Sequence, residues 1–386
     1  MAVPLSYNVR SLYIRRKLTM LAVGGIALPI AVLIVLISMA NGFRVALSAT
    51  GSPINAIVTQ RGSRSELSSS ITRDSAQVLS DDPRLMKNAN GRALFSPELV
   101  VVANMRRKDG GDTNVTVRGV SQMAFSVRTG ITVTDGRNFQ PGLYEVIVGR
   151  KIFERLESME IGRSFKLQRR DWKVVGVFDA NGSAFESEIW GDVDVIGPAF
   201  NRGGYHSVTL RMRDPSMISA LNSELEHNPR MQVQAVQERK YYEDRSGVVS
   251  GQLLGLAVFV ATVMGIGAVF GAMNTMYALV AARTREIGTL RALGFSKVSI
   301  LTAFVVESTF LAIVGGALGC LLALPADGMT SAAMGTSFGE IGFAFRISGT
   351  SLVVGMGLAV LMGVAGGVLP AFRAARMPIT SALRDA

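Results

Sequence analysis

The chain has 386 residues, 48% of them apolar, one cysteine and a formal net charge of +11. The apolar residues are gathered in four nearly uncharged stretches, which excludes an ordinary water-soluble globule. The excess positive charge is gathered beside those stretches, which makes it poor evidence for nucleic-acid binding.

The first uncharged stretch covers residues 18–43, after a basic start containing Arg10, Arg15, Arg16 and Lys17. Signal-peptide cores run to roughly 15 residues, and this one is longer, so it is expected to stay as an anchor despite the small residues near Ala46 to Ala49. Pro29 within it is a place for a kink.

Residues 44–245 have soluble character, and their pattern predicts an α+β domain. Strands are expected over 54–60, 98–104, 114–118, 145–148, 164–168, 172–178, 192–196 and 207–212, with helices over 72–79, 151–156 and near 215–226. A β-rich part is expected at about 114–203. Asp81-Asp82-Pro83 and Asp109-Gly110-Gly111-Asp112 supply the punctuation between elements. The domain has no cysteine, because Cys320 lies in the third uncharged stretch, so it rests on its core.

The remaining stretches cover 246–282, 298–326 and 347–372, and each is long enough to cross a bilayer. The second would extend about 55 Å as a helix against a hydrocarbon core of about 30 Å. Residues 241–249 are therefore expected to form the base of a stalk that joins the domain rigidly to the membrane. Glu307 is the one Asp, Glu, Lys or Arg within the four stretches, read as a buried carboxyl that is protonated or bonded to a neighbouring helix, with a functional role as the alternative. Gly267 with Gly271, Gly315 with Gly319 and Gly363 with Gly367 fit G-x-x-x-G and are assigned to helix packing within or between protomers.

Orientation follows from the basic flanks. Arg283, Arg285, Arg291 and Lys297 lie between the second and third stretches, and Arg373, Arg376 and Arg384 follow the fourth. With the four before the first stretch, and with only Glu286 and Asp385 to oppose them, these flanks carry +9 of the +11. The expected topology has both termini and residues 283–297 and 371–386 in the cytoplasm, beside anionic lipid, with 44–245 and a short loop at 325–346 outside.

Catalytic signals are weak. No G-x-x-x-x-G-K-[ST] occurs, so the chain is not expected to bind nucleotide or to hydrolyse it alone. His206 and His227 lack metal-ligand spacing and read as surface histidines, and no metal or other cofactor is expected on this chain. Gly335-Thr336-Ser337-Phe338-Gly339 matches G-x-S-x-G in a loop without the strand and helix that such an elbow needs, and Gly265-Ile266-Gly267 follows no strand.

The specific segment runs from Asn274 to Val298 and contains Arg283-Thr284-Arg285-Glu286-Ile287-Gly288 and Arg291-Ala292-Leu293-Gly294. It resembles the permeases of MacB-type ABC transporters, the FtsX-like group that includes the lipoprotein-release permeases. The chain end, Leu369-Pro370-Ala371-Phe372-Arg373-Ala374-Ala375-Arg376 with Pro378 and Ala382-Leu383-Arg384, resembles the same family, as do Val117-Arg118-Gly119-Val120, Gly136-Arg137 and Val174 to Val177 in the domain. The resemblance implies a dimer with a second permease copy or a paralogue. It also implies a separate ABC ATPase that binds ATP and Mg, since only 17 residues precede the first stretch here, and in some members a periplasmic adaptor protein. It further implies residence in the bacterial inner membrane and mechanotransmission, in which ATPase closure moves the outer domain to drive efflux or release of a substrate. A membrane-anchored sensor signalling to a separate cytoplasmic partner is the alternative.

At 100° per residue, Ile287, Leu290 and Leu293 fall within an arc of about 120°, an apolar ridge for an ATPase groove with Arg283, Arg285, Glu286 and Arg291 around it. Gly294 is the expected helix stop.

Overall fold

The computed structural model describes residues 16–228, 231–334 and 339–376. They divide into two compact units. One is helical and holds residues 16–41, Gly251–Met329 and 345–376; the other is α+β and holds Gly42–Ser250 with Thr330–Ala344. The chain passes between them four times.

Among the described residues, four helices are long and apolar enough to cross a membrane: α1 (Arg16–Ser48), α7 (Glu238–Ala281), α9 (Lys297–Ala323) and α10 (Gly349–Ala375). Two of them, α9 and α10, start on a capping serine. The Ser296 hydroxyl accepts from the Ser299 amide at 3.1 Å, and Ser348 and Ser351 form a reciprocal capping box, so donors that no helical carbonyl reaches are satisfied. α1 continues through Pro29. α7 begins eight residues before the uncharged stretch, and its 44 residues extend about 66 Å.

The α+β unit contains one ten-stranded sheet. Its strands are β1 (Asn55–Gln60), β2 (Phe95–Arg106), β3 (Asp112–Val120), β4 (Thr132–Gly136), β5 (Glu145–Gly149), β6 (Ser164–Leu167), β7 (Arg170–Asp179), β8 (Glu188–Asp192), β9 (Ser207–Arg211) and β10 (Val233–Gln237). The order is β10-β1-β9-β2-β3-β8-β5-β7-β4, with β6 on β7. The β3/β8 and β5/β7 pairs are parallel and the rest antiparallel. Short helices lie between them: α2 (Arg73–Ser80), α3 (Ala124–Val127), α4 (Arg150–Arg155), α5 (Val193–Ala199) and α6 (Met217–His227).

The twelve-residue β2 belongs to both halves of this sheet. Phe95 to Glu98 pair with β9 and Leu99 to Arg106 pair with β3, so the β-rich portion takes in residues well before 114. Each half has its own apolar core, one around Leu99, Val117, Val148, Trp172 and Ile189, the other around Val58, Leu79, Val208, Leu210 and Leu221. Each such aliphatic side chain is worth about 1.5–3 kcal/mol when withdrawn from water.

Two local readings are corrected. The strand expected over 192–196 is a helix, because Asp192 accepts from the Asp194 amide at 3.1 Å and caps α5; the strand is the preceding Glu188–Asp192. The 325–346 segment is more than a short loop: β11 (Thr330–Met334) and β12 (Glu340–Ala344) form an antiparallel hairpin that is part of the α+β unit. The Gly339 amide donates to Thr116 Oγ1 and the Gly342 amide to Ser187 Oγ, both at 2.9 Å, Arg155 pairs with Glu340, and Phe343 meets Phe43 edge-on at 5.6 Å.

Candidate functional site

The segment between the second and third long helices is α8 (Thr284–Ala292), set off at both ends by non-helical backbone. Arg283 precedes it at φ −115°, and Gly294 follows at φ +93°, a left-handed conformation that glycine adopts without strain. The Gly294 and Phe295 amides donate back to Arg291 and Leu290 carbonyls at 3.2 and 3.1 Å and close the helix.

Burial then sorts the α8 side chains by angle. Ile287 lies inward in a cluster with Met276, Leu279 and Val280 of α7, Ile300 and Phe304 of α9, and Ala371 and Ala374 of α10. Arg283 and Gly288 are buried with it, and Thr284, Leu290 and Arg291 are half-buried. Arg285, Glu286, Thr289, Ala292 and Leu293 face solvent, Leu293 with 70% of its surface exposed.

The expected ridge is therefore corrected. Ile287 and Leu293 stand 120° apart on the helix, and the contacts of α8 with α7, α9 and α10 consume the Ile287 edge of that arc. Arg283 is also withdrawn from any outward surface: its Nη1 donates to Glu307 Oε2 at 2.9 Å, with both side chains nearly inaccessible. Glu307 is thus an ion-paired carboxylate bound to the start of α8.

The glycine pairs divide in the same way. A Cβ at Gly315 or Gly319 would meet α1, 3.0 Å from Val23 O and 2.6 Å from Ala27 O; one at Gly363 or Gly367 would meet α9, 2.3 Å from Ala312 Cβ and 1.9 Å from Ser308 Oγ. These four permit close helix packing within the chain. Gly267 and Gly271 have no atom within 4 Å of an added Cβ, whereas Gly265, two residues before Gly267, faces Met362.

Missed in the sequence is a buried charge network in the α+β unit. Arg118 donates to Glu66 Oε1 at 2.8 Å, Glu98 Oε2 at 2.9 Å and Glu188 Oε2 at 2.7 Å. Arg128 pairs with Glu98 and with Glu238, the first residue of α7. Trp190 Nε1 and Ser207 Oγ donate to Glu188 and Glu66, each at 2.7 Å. Burial alone would push the Glu66 carboxyl up, but the Arg118 guanidinium overcomes it and holds Glu66 at about 2. The one available signal was Arg118 itself, a cation inside the apolar alternation of β3.

The remaining residues of interest lie apart from both places. His206 is buried, a correction: its Nδ1 accepts from the Val100 amide at 3.3 Å, and burial lowers its pKa. His227 is exposed. Among the described residues no three His, Cys, Asp or Glu side chains group as metal ligands. Gly335 to Phe338 of the G-x-S-x-G match lie outside the described residues, as do Arg10, Arg15, Pro378 and Ala382 to Arg384.

Comparison with known proteins places these features. The profile of the MacB-like periplasmic core domain matches residues 19–228, and that of the FtsX-like permease C-terminal region matches residues 258–379. The macrolide export ATP-binding/permease protein MacB of Acinetobacter baylyi is 25% identical over 97% of this chain, which spans 58% of that protein. The uncharacterized ABC transporter permease YknZ of Bacillus subtilis is 24% identical over 71% of this chain and 70% of its own length. Among solved structures, the extracellular domain of the noncanonic ABC-type transporter YknZ from Gram-positive bacteria is 17% identical, with a TM-score of 0.37 over 47% of this chain and 99% of that one. The periplasmic region of MacB from Actinobacillus actinomycetemcomitans is 12% identical, with a TM-score of 0.38 over 50% of this chain and 92% of that one.

Proposed function

This chain belongs to the MacB-like, FtsX-like permease family, and from that premise we propose that it is the non-catalytic permease subunit of an ABC transporter. A separate ATPase subunit binds ATP and Mg, docks on α8, and its closure moves the α+β unit to drive efflux or release of a substrate. Two permeases act together, as identical copies or paralogues, and a periplasmic adaptor protein is a further candidate partner. The chain lies in the bacterial inner membrane with both termini cytoplasmic.

One observation carries this reading: α8 presents Arg285, Glu286, Thr289, Ala292 and Leu293 outward from a short segment between two apolar helices, and that segment holds Arg283, Arg285, Arg291 and Lys297 in sequence. That face mixes both charges with one large exposed apolar side chain, the composition of a docking surface rather than of a helix lying on lipid.

The test is co-purification of the chain with its ATPase, followed by ATP turnover in nanodiscs. Leu293→Asp places a carboxylate in the contact and Arg285→Glu reverses a charge there, and each is expected to weaken binding at least about tenfold. Neither should alter folding, because both side chains are exposed. Retention of the ATPase and of full turnover by both variants refutes docking at α8.

A further inference from the structure

We propose that Arg283 and Glu307 form a latch that fixes α8 to α9, so that force applied to α8 reaches the third long helix through a buried ion pair as well as the second through the backbone. This rests on the docking role given to α8 and names the residues that position it; neither is a partner contact.

Little else holds α8 in place. Nine residues are too few for a helix to be stable alone, so its orientation depends on tertiary contacts. Both of its ends depart from helical backbone, at Arg283 and at the left-handed Gly294, so neither continues the axis of the neighbouring helix. Along its length only Ile287 among the large apolar side chains is fully buried. Apolar contact of that kind tolerates sliding, because dispersion and hydrophobic burial have no preferred direction.

The ion pair behaves differently. Arg283 Nη1 and Glu307 Oε2 are 2.9 Å apart, and their side chains retain 5% and 1% of their accessible surface. Separating them breaks a charge-assisted hydrogen bond between two side chains held away from water, so the pair favours one distance and one direction. Glu307 stands in α9 and Arg283 immediately before α8, 24 residues away. A displacement of α8 therefore pulls on a point inside α9. α7 receives the same displacement through Ala282, the residue that joins Ala281 to Arg283.

The experiment uses the full chain in nanodiscs with its ATPase and compares Arg283→Gln, Glu307→Gln, the double neutral variant, Arg283→Lys and the exchanged pair Arg283→Glu with Glu307→Arg. Each single neutral variant removes one charge of the buried pair and should lower the melting midpoint. The double variant removes both charges and should restore it. With a latch, the double variant keeps the ATPase bound, loses at least about fivefold of the permease-dependent ATP turnover, and speeds amide exchange over Ile287 to Leu293 about tenfold. Arg283→Lys, which still pairs, should keep turnover within about twofold. A double variant with wild-type turnover and exchange overturns the latch and leaves the pair a structural contact. If the double variant does not fold, the exchanged pair decides: exchange over α8 no slower than in the single variants also overturns it. If the wild-type chain binds no ATPase, the docking assignment fails, and the amide-exchange comparison still decides whether the pair holds α8.

Discussion

Arg128 Nε lies 2.7 Å from Glu238 Oε1, and that contact ties the first residue of the 44-residue helix α7 to the core of the α+β unit. Glu238 Oε2 accepts from the Ser52 amide at 3.0 Å and from Asn55 Nδ2 at 2.9 Å, so one carboxylate joins the start of α7 to the segment that leaves α1 and to β1. Gly51 makes room for it: its φ is +79°, and a Cβ there would come within 2.6 Å of Glu238 Cγ. Glu238→Gln keeps the shape and removes one of the two carboxylates that Arg128 meets, Glu98 remaining, at an expected cost of about 1–3 kcal/mol in unfolding of this unit. Chemical denaturation followed by fluorescence of Trp172 and Trp190, both buried in the unit, measures it. Arg163→Gln, which removes an exposed pair with Glu160, is the control and should leave the midpoint unchanged.

Acid should weaken the same unit in a defined window. Glu66 is held at about 2 in the fold against 4.5 when unfolded, so its contribution is fully present above 4.5 and is lost as pH falls towards 2. The loss is roughly 3 kcal/mol across that window. His206 acts in the same direction at higher pH: burial lowers its pKa below 6.5, so the unfolded chain takes up a proton there first. Unfolding midpoints measured from pH 7 to pH 3 should decline, and Glu66→Gln should be less stable at pH 7 with a flatter decline below pH 5. An unchanged slope in that variant would assign the acid sensitivity to other groups.

The glycine pairs predict two opposite outcomes. Gly319→Ala drives a Cβ towards the backbone oxygen of Ala27, and Gly363→Ala drives one towards Ala312 Cβ and the Ser308 carbonyl, so each should destabilise the helical unit by about 1–3 kcal/mol. Gly271→Ala meets nothing within 4 Å and should leave the thermal midpoint of the single chain unchanged. Cross-linking of two tagged copies shows whether Gly271→Ala instead affects pairing between chains, the role that its open surroundings leave for it.

Orientation is testable in a Cys320→Ser background. Asp109→Cys, in the turn between β2 and β3, should react with an impermeant thiol reagent in intact cells, and Ala292→Cys, on the exposed face of α8, should react only after permeabilisation. Reaction of Ala292→Cys from outside reverses the topology and places α8 beyond the reach of a cytoplasmic ATPase.

The long helices were legible because length and absence of charge are local properties, as were β1, β7 and β9, whose branched residues lie between clear turn signals. The ends of elements followed side-chain hydrogen bonds instead, and Asp192 turned an alternating run that reads as a strand into a helix. The α8 periodicity was visible, but which edge faces inward depends on Met276, Phe304 and Ala374, distant in sequence. The charge network was illegible for the same reason: Arg118 meets Glu66 across 52 residues and Arg128 meets Glu238 across 110.

The hairpin Thr330–Ala344 sets an order on synthesis. It completes the α+β unit, supplying partners for the Thr116 and Ser187 hydroxyls and a ring for Phe43, yet the ribosome makes it only after α7 and α9. Until those two helices have left the ribosome, the unit that precedes them must wait with that face uncovered. Nascent chains arrested after Ala326 should therefore be cut by protease near Phe43 and Ser187, and chains arrested after α10 should resist, so membrane insertion becomes the pacemaker of folding outside it.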